Sequence, residues 1–124
     1  MGEQRHIRFE DATLQAALLQ ELDRAGTRYT LDALGSVLFE DAEADDVTDA
    51  AHKVRDAQFP WYFLRWRTEA EAERYRDVLA TAQVPFFVEH HESGFWFLVR
   101  RADQAEHDRL WLRVIEDVPQ GPRA

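Results

Sequence analysis

Residues 88–93, VEHHES, gather two carboxylates and two imidazoles within six positions. In an extended strand alternate side chains face opposite ways, so Glu89 and His91 share one face and His90 and Glu92 the other. With Arg65 and Arg100 from neighbouring strands, Glu89 and His91 are the residue types of an acid/base site with anion-binding arginines. They are also ordinary residues for a polar hairpin, and that is the favoured reading. Adjacent strand histidines point apart, and His6, His52 and His107 show no ligand spacing with them, so no metal site is expected. The chain has no cysteine, which removes thiolate zinc sites, disulfides and a cysteine nucleophile. It carries no GxGxxG, no phosphate-binding P-loop and no GxSxG elbow. Ser36 and Ser93 fall in predicted turns. No cofactor is expected, and the balance leans away from an enzyme.

Charge supplies a second candidate. The formal net charge is −9 over 124 residues, which argues against a general nucleic-acid binder. Residues 29–52 contain no Lys or Arg, yet hold Asp32, Glu40, Asp41, Glu43, Asp45, Asp46 and Asp49. A solvated loop leading into an acidic first helical turn accounts for such a run. Read functionally, Glu40, Asp41, Glu43, Asp45, Asp46 and Asp49 form a docking face for a basic protein.

The elements that position these groups follow from periodicity. Residues 5–10 alternate about Ile7 and Phe9 as a strand. Asp11 caps a helix with Leu14, Ala17, Leu18, Leu22 and Ala25 on one stripe, and Gly26 ends it. Tyr29 and Leu31 begin a second strand; Val37 and Phe39 continue in a third. Val47, Ala50, Ala51 and Val54 mark a second helix that must stop before Pro60. The order then recurs. Residues 61–67 form a strand, Thr68 and Glu71 a capping box before a helix bearing Ala72, Tyr75, Leu79 and Ala82, and residues 86–89 and 95–100 a hairpin. Asp103 opens a last helix with Leu110, Val114 and Val118. Tyr75 and Trp111 are expected to pack. Arg74, Arg76, Arg109 and Arg113 are expected to pair with Glu71, Glu73, Glu106 and Asp108.

Laid on one another, the halves match in pattern: Leu18 on Tyr75, Leu22 on Leu79, Ala25 on Ala82, Gly35 on Gly94. The expected architecture is α+β, a tandem βαββα repeat: 1–59 the first half, 60–118 the second, and 119–124 a flexible tail. The right-handed crossover rule suggests a ferredoxin-like plait. Its single antiparallel sheet has the strands that lead into the long helices in the middle. The first strand of the second half completes the first half, and all four helices lie on one face. In element order this resembles ferredoxin-like and tandem ACT-like regulatory domains, a likeness that implies no activity.

Side-chain direction on that sheet raises the last candidate. The inward set of the second half is Tyr62, Leu64, Trp66, Phe86, Val88, Phe95, Phe97 and Val99. The outward set is Trp61, Phe63, Arg65, Arg67, Phe87, Glu89, His91, Trp96, Leu98 and Arg100, too apolar for a face in water. Self-association, with two open faces stacked as a homodimer, a protein partner and a small-molecule pocket compete for it. The N-terminus lacks the apolar run of a secretory signal, and no stretch approaches the roughly 20 apolar residues of a span, so a cytoplasmic protein without membrane contact is expected. The functional expectation is a non-enzymatic acidic binding protein, a regulator or inhibitor working by protein contact. An immunity-type inhibitor of a nucleic-acid-handling toxin is one concrete form. The alternative is a small-ligand sensor or small enzyme using the aromatic and arginine face.

Overall fold

Local signals place the elements. The Asp11 carboxylate accepts from the Leu14 N–H at 3.0 Å, and Gly26 in the left-handed region (φ 71°) ends the helix between them. Thr68 caps the third helix, with the Glu71 N–H donating to Thr68 Oγ1 at 3.2 Å, and the Thr68 hydroxyl in turn donates to Glu71 Oε1 at 3.2 Å. A computed structural model describes residues 4–66 and 68–117, with side chains through residue 112. Its elements are β1 (Gln4–Phe9), α1 (Ala12–Ala25), β2 (Thr30–Leu31), β3 (Val37–Glu40), α2 (Ala44–Asp56), β4 (Trp61–Trp66), α3 (Glu69–Ala82), β5 (Phe86–His91), β6 (Gly94–Arg100) and α4 (Gln104–Asp117). Short 3₁₀ turns, Asp41–Glu43 and Arg101–Asp103, precede α2 and α4. Among the expectations, Arg67, the side chains of Arg113 and Val114, and residues 118–124 with the tail lie outside what is described.

The protein is α+β, with one six-stranded antiparallel sheet in the order β2-β3-β1-β5-β6-β4 and four helices. Two expectations about the sheet are corrected. β4 does not complete the first half or lie in the middle; it is an edge strand, and β5 takes the place beside β1. Nor do the helices share a face. Phe9 and Ile7 stand opposite Glu89 and His91 across the β1–β5 seam, so all four point to one side. On that side Ile7 and Phe9 pack with Leu14, Leu18 and Leu22 of α1 and Val47 and Val54 of α2. Val88, one step from Glu89, points to the other side and packs with Tyr75 and Leu79 of α3 and Leu110 of α4.

The reason is topological. Each half has the same left-to-right order, with the hairpin strands first and the leading strand last. Because β1 meets β5 antiparallel, the strands of the second half run opposite to their counterparts. The same crossover hand in both halves then requires the second to be turned over, which carries its helices to the opposite face. The chain builds two cores, one on each side of the sheet, and each half leaves its other side without helices of its own.

The predicted inward set of the second half is the second core: Trp66, Val88, Phe97 and Val99 are buried, with Tyr62, Leu64, Phe86 and Phe95 packed against them. Tyr75 is fully buried, whereas Trp111 is 41% exposed and does not pack as expected. No helix among the described residues is long and apolar enough to cross a membrane.

Candidate functional site

The uncovered side of the second half is continuous with α2. Cross-strand pairing sets Trp61 opposite Arg100, Phe63 opposite Leu98 and Arg65 opposite Trp96 on β4 and β6, with Phe87 opposite Leu98 and Glu89 opposite Trp96 on β5 and β6. Aromatic rings form a chain across this surface: His52 of α2 to Trp61 (5.4 Å between centroids), Trp61 to Phe63 (4.9 Å), Phe63 to Trp96 (5.3 Å) and Trp96 to His91 (5.9 Å). Trp61, Phe63, Trp96 and His91 are each half-buried, and Arg65 is exposed. The Trp61 indole N–H donates to Asp56 Oδ1 at 2.8 Å. The Arg65 guanidinium lies 5.4 Å from the Trp96 ring centre and donates to the Ser93 carbonyl at 2.9 Å.

Not every predicted member of the face is open. Leu98 and Glu89 are fully buried, and Phe87 packs against the first core and stacks on Phe59 at 6.0 Å. α2 and the segment after it cover the β5 side of the face, because this side of the sheet is the one α2 occupies. Arg100 sits at the rim and is bound by Asp103 through Nε (2.7 Å) and Nη2 (3.1 Å).

Beneath the rings lies a buried ion pair that joins the halves. Arg55 of α2 donates from Nε to Glu89 Oε2 (2.8 Å) and from Nη2 to Oε1 (2.7 Å), and His91 Nε2 donates to the same Oε1 at 2.8 Å. The guanidinium carbon is 4.7 Å from the Phe63 ring centre and 5.3 Å from that of Trp61. Burial pushes the Glu89 carboxyl up, but the hydrogen bonds and charges of Arg55 and His91 prevail and hold it below the usual carboxylate range. With both oxygens engaged and no exposure, Glu89 is placed as a structural anion, not as a proton acceptor for substrate. Arg65 and Arg100 are each directed elsewhere, so the acid/base set Glu89, His91, Arg65 and Arg100 is not assembled around one point.

Arg55 is the member that the sequence reading passed over. It follows Ala51 by four residues on the stripe of Val47 and Ala51, so a charged residue on the buried face of α2 was the available signal.

A second Arg–Glu–His group lies on the opposite side of the same seam. Arg76 of α3 donates to Glu10 Oε1 (2.6 Å) and Oε2 (2.9 Å), and His90 Nε2 to Oε2 (2.5 Å). Burial raises the Glu10 carboxyl, and these hydrogen bonds and charges bring it down to about 2. The expected partner of Arg76, Glu73, is farther away at 3.6 Å. His90 and His91 thus face opposite ways and serve different carboxylates. Among the described residues no three His, Asp or Glu side chains are grouped to hold a metal ion.

The acidic residues form a ridge where β3 leads into α2, although Glu40, one step from the inward Phe39, points to the opposite side of the sheet. Glu40 ends β3, Asp41 and Glu43 lie in the 3₁₀ turn, and Asp45, Asp46 and Asp49 occupy the first two turns of α2. Glu40, Asp41, Asp45, Asp46 and Asp49 are exposed and Glu43 half-buried. Asp41 is paired with Arg5 at 2.9 Å. Asp45 and Asp46 face the positive end of the helix dipole, and Lys53 and Arg55 the negative end. Between the ridge and His91 opens a cleft of about 460 Å³, bordered by Gln4, Arg5, Thr48, Arg55, His91 and Glu92. No protein-family model, characterised protein or solved structure matches the chain.

Proposed function

We propose that the protein is a non-enzymatic binding protein that regulates or inhibits a basic protein by direct contact. One observation carries this reading: the acidic residues of α2, Asp45, Asp46 and Asp49, and the aromatic face are linked through that one helix on the same side of the sheet. The helix begins in the ridge with Asp45 and Asp46 and ends beside the rings, with His52 against Trp61 and Asp56 bonded to its indole. Exposed carboxylates steer a basic partner at a distance. Half-buried Trp and Phe supply the contact that dries on binding. The concrete form of the proposal is an immunity-type inhibitor whose ridge covers the cationic cleft of a nucleic-acid-handling toxin in the cytoplasm. The seam near residues 59 and 60, a duplicated βαββα unit and a ferredoxin-like origin for each half belong to the same reading, supported by the shared strand order.

The test is kinetic. A partner isolated on the wild-type chain is followed at several salt concentrations, with wild type and with a variant carrying Asp41→Lys, Glu43→Lys, Asp45→Lys and Asp46→Lys. The variant should associate at least tenfold more slowly, with a flatter salt dependence. Unchanged association removes the ridge from the account. The aromatic and arginine face favours a second reading, a small-ligand sensor or small enzyme using that face. Its mark would be thermal stabilisation by a planar acid that Trp96→Ala abolishes.

A further inference from the structure

The β4 strand ends the sheet, and six consecutive residues, Trp-Tyr-Phe-Leu-Arg-Trp, hold it extended with a neighbour on one side only among the described residues. Proteins usually blunt an edge of this length with a proline, a bulge, a charged side chain or a covering segment, and the one charge of β4, Arg65, is engaged by the Trp96 ring at 5.4 Å and the Ser93 carbonyl at 2.9 Å. β4 contains no Pro, Gly or acidic residue, and the opposite edge, β2, is blunted by being two residues long.

The backbone phase of β4 can be read from one bond. The Arg101 N–H donates to the Pro60 carbonyl at 2.9 Å, so residues 60 and 101 are a hydrogen-bonded pair. Antiparallel ladders alternate, and with Trp61 opposite Arg100 the next such pairs are 62 with 99, 64 with 97 and 66 with 95. Trp61, Phe63 and Arg65 therefore turn their N–H and C=O groups away from β6, toward the free edge.

We propose that two copies of this chain pair through these edges, β4 against β4, about a two-fold axis at Phe63. The odd-numbered residues carry the outward groups, so only a register pairing odd with odd closes the ladder. The central one sets Phe63 opposite Phe63, Trp61 opposite Arg65 of the second copy, and Tyr62 opposite Leu64. Every pair keeps like faces together: the ring face runs on across the axis, and so does the face of the second core. The two Trp–Arg pairs repeat the ring–guanidinium contact that Arg65 already makes with Trp96.

Charge permits the contact despite a formal net charge of −9. β4 carries one cation and no anion; the carboxylate at this edge is Asp56, bonded to the Trp61 indole at 2.8 Å and so beside the position that Arg65 of the second copy takes, while the ridge residue Glu40 lies on β3, four strand spacings away. At roughly 4.8 Å per spacing that is ~19 Å, beyond the screening length at physiological salt. This inference does not depend on the acidic ridge or on any foreign partner.

Sedimentation equilibrium of the full chain tests it. Wild type should sediment at twice the chain mass at tens of micromolar. Phe63→Lys and Phe63→Glu should each raise the dimer dissociation constant at least tenfold, because like charges meet at the axis, and mixing them in equal amounts should restore the dimer. Arg65→Pro supplies a second arm should a charge at position 63 disturb the fold. It removes an outward N–H and no bond to β6, so it should give a folded monomer by circular dichroism. A wild-type monomer at hundreds of micromolar overturns the proposal. So does a dimer that survives both Phe63→Lys and Arg65→Pro, which would place the contact elsewhere.

Discussion

Arg55 and Glu89 come from different halves of the chain and meet in one bidentate pair, N···O 2.8 and 2.7 Å, with side chains 6% and 0% exposed. On the other side of the sheet Arg76 and Glu10 make the reciprocal link, helix of the second half to strand of the first. The β1–β5 seam between the halves has only three residue pairs in register. A short ladder is thus braced on both faces by a charged group reaching across it.

Breaking the buried brace on one side should be costly, and removing it whole should not. Arg55→Met leaves the buried Glu89 with His91 as its one remaining partner, and should lower unfolding stability by about 3 kcal/mol in urea titrations. The double variant Arg55→Met, Glu89→Leu should recover most of that loss, since an apolar pair of similar volume avoids the desolvation of both ions. A single variant within about 1 kcal/mol of wild type would mean that the pair does not brace the seam.

Acid should release the brace on the opposite face. Glu10 titrates near 4.5 when unfolded and at about 2 when folded. The folded state therefore holds the anion more tightly, so its contribution is complete above pH 4.5 and is lost as pH falls toward 2. The side chain is 27% exposed, so screening by water reduces the contribution to ~1–2 kcal/mol. Glu10→Gln should be less stable than wild type at pH 7, and the gap should close by pH 2. The difference between the two curves isolates Glu10 from Glu89, which is depressed in the same direction. A gap that stays constant with pH would show that the loss is one of packing.

Alternation and capping made most of this structure legible. Asp11, Gly26 and the Thr68–Glu71 pair mark helix ends by local chemistry, and the inward residues of β4, β5 and β6 follow from a period of two. The side of the sheet that each helix pair occupies was not legible in this way. It depends on which strand meets β1, a non-local choice between β4 and β5 that no local pattern encodes. From that one pairing follow the packing of half-buried Phe87 on the first core, the burial of Glu89 and the placement of Arg55 over Phe63. The candidate face was therefore recognised by its aromatic residues while the ion pair beneath it was not.

The second core contains one buried polar contact that can be tested through pH. The Tyr75 hydroxyl lies 2.6 Å from His107 Nδ1, and both side chains are essentially inaccessible. Burial lowers the His107 pKa below its ordinary value and favours the neutral ring, which shares one hydrogen bond with Tyr75 at Nδ1 while its buried Nε2 has no hydrogen-bond partner among the described residues. The unfolded chain takes up a proton near 6.5 and the folded chain only at lower pH, so stability should fall as pH drops below 6.5. His107→Leu should remove this part of the slope. Tyr75→Phe should cost about 1–3 kcal/mol by leaving the buried Nδ1 without its hydrogen-bond partner. An unaltered slope in His107→Leu would assign the pH dependence to other groups.

Gln83 offers a stabilising change that follows from comparing the halves. It ends α3 with φ 58°, in the left-handed region, where its N–H reaches the carbonyls of Leu79 and Ala80. Gly26 holds the same position after α1 with φ 71° and suffers no penalty there. A side chain with a Cβ is strained in that conformation, so Gln83→Gly should raise stability by ~0.5–1 kcal/mol although glycine loses more entropy on folding. Gly26→Ala should lower it by a similar ~1 kcal/mol. A Cβ at Gly26 would meet no atom within 4 Å, so that loss would be conformational and not a clash. Urea unfolding of both variants checks the pair. If Gln83→Gly destabilises the protein, the side chain contributes a contact worth more than the strain, and the two helix ends are not equivalent.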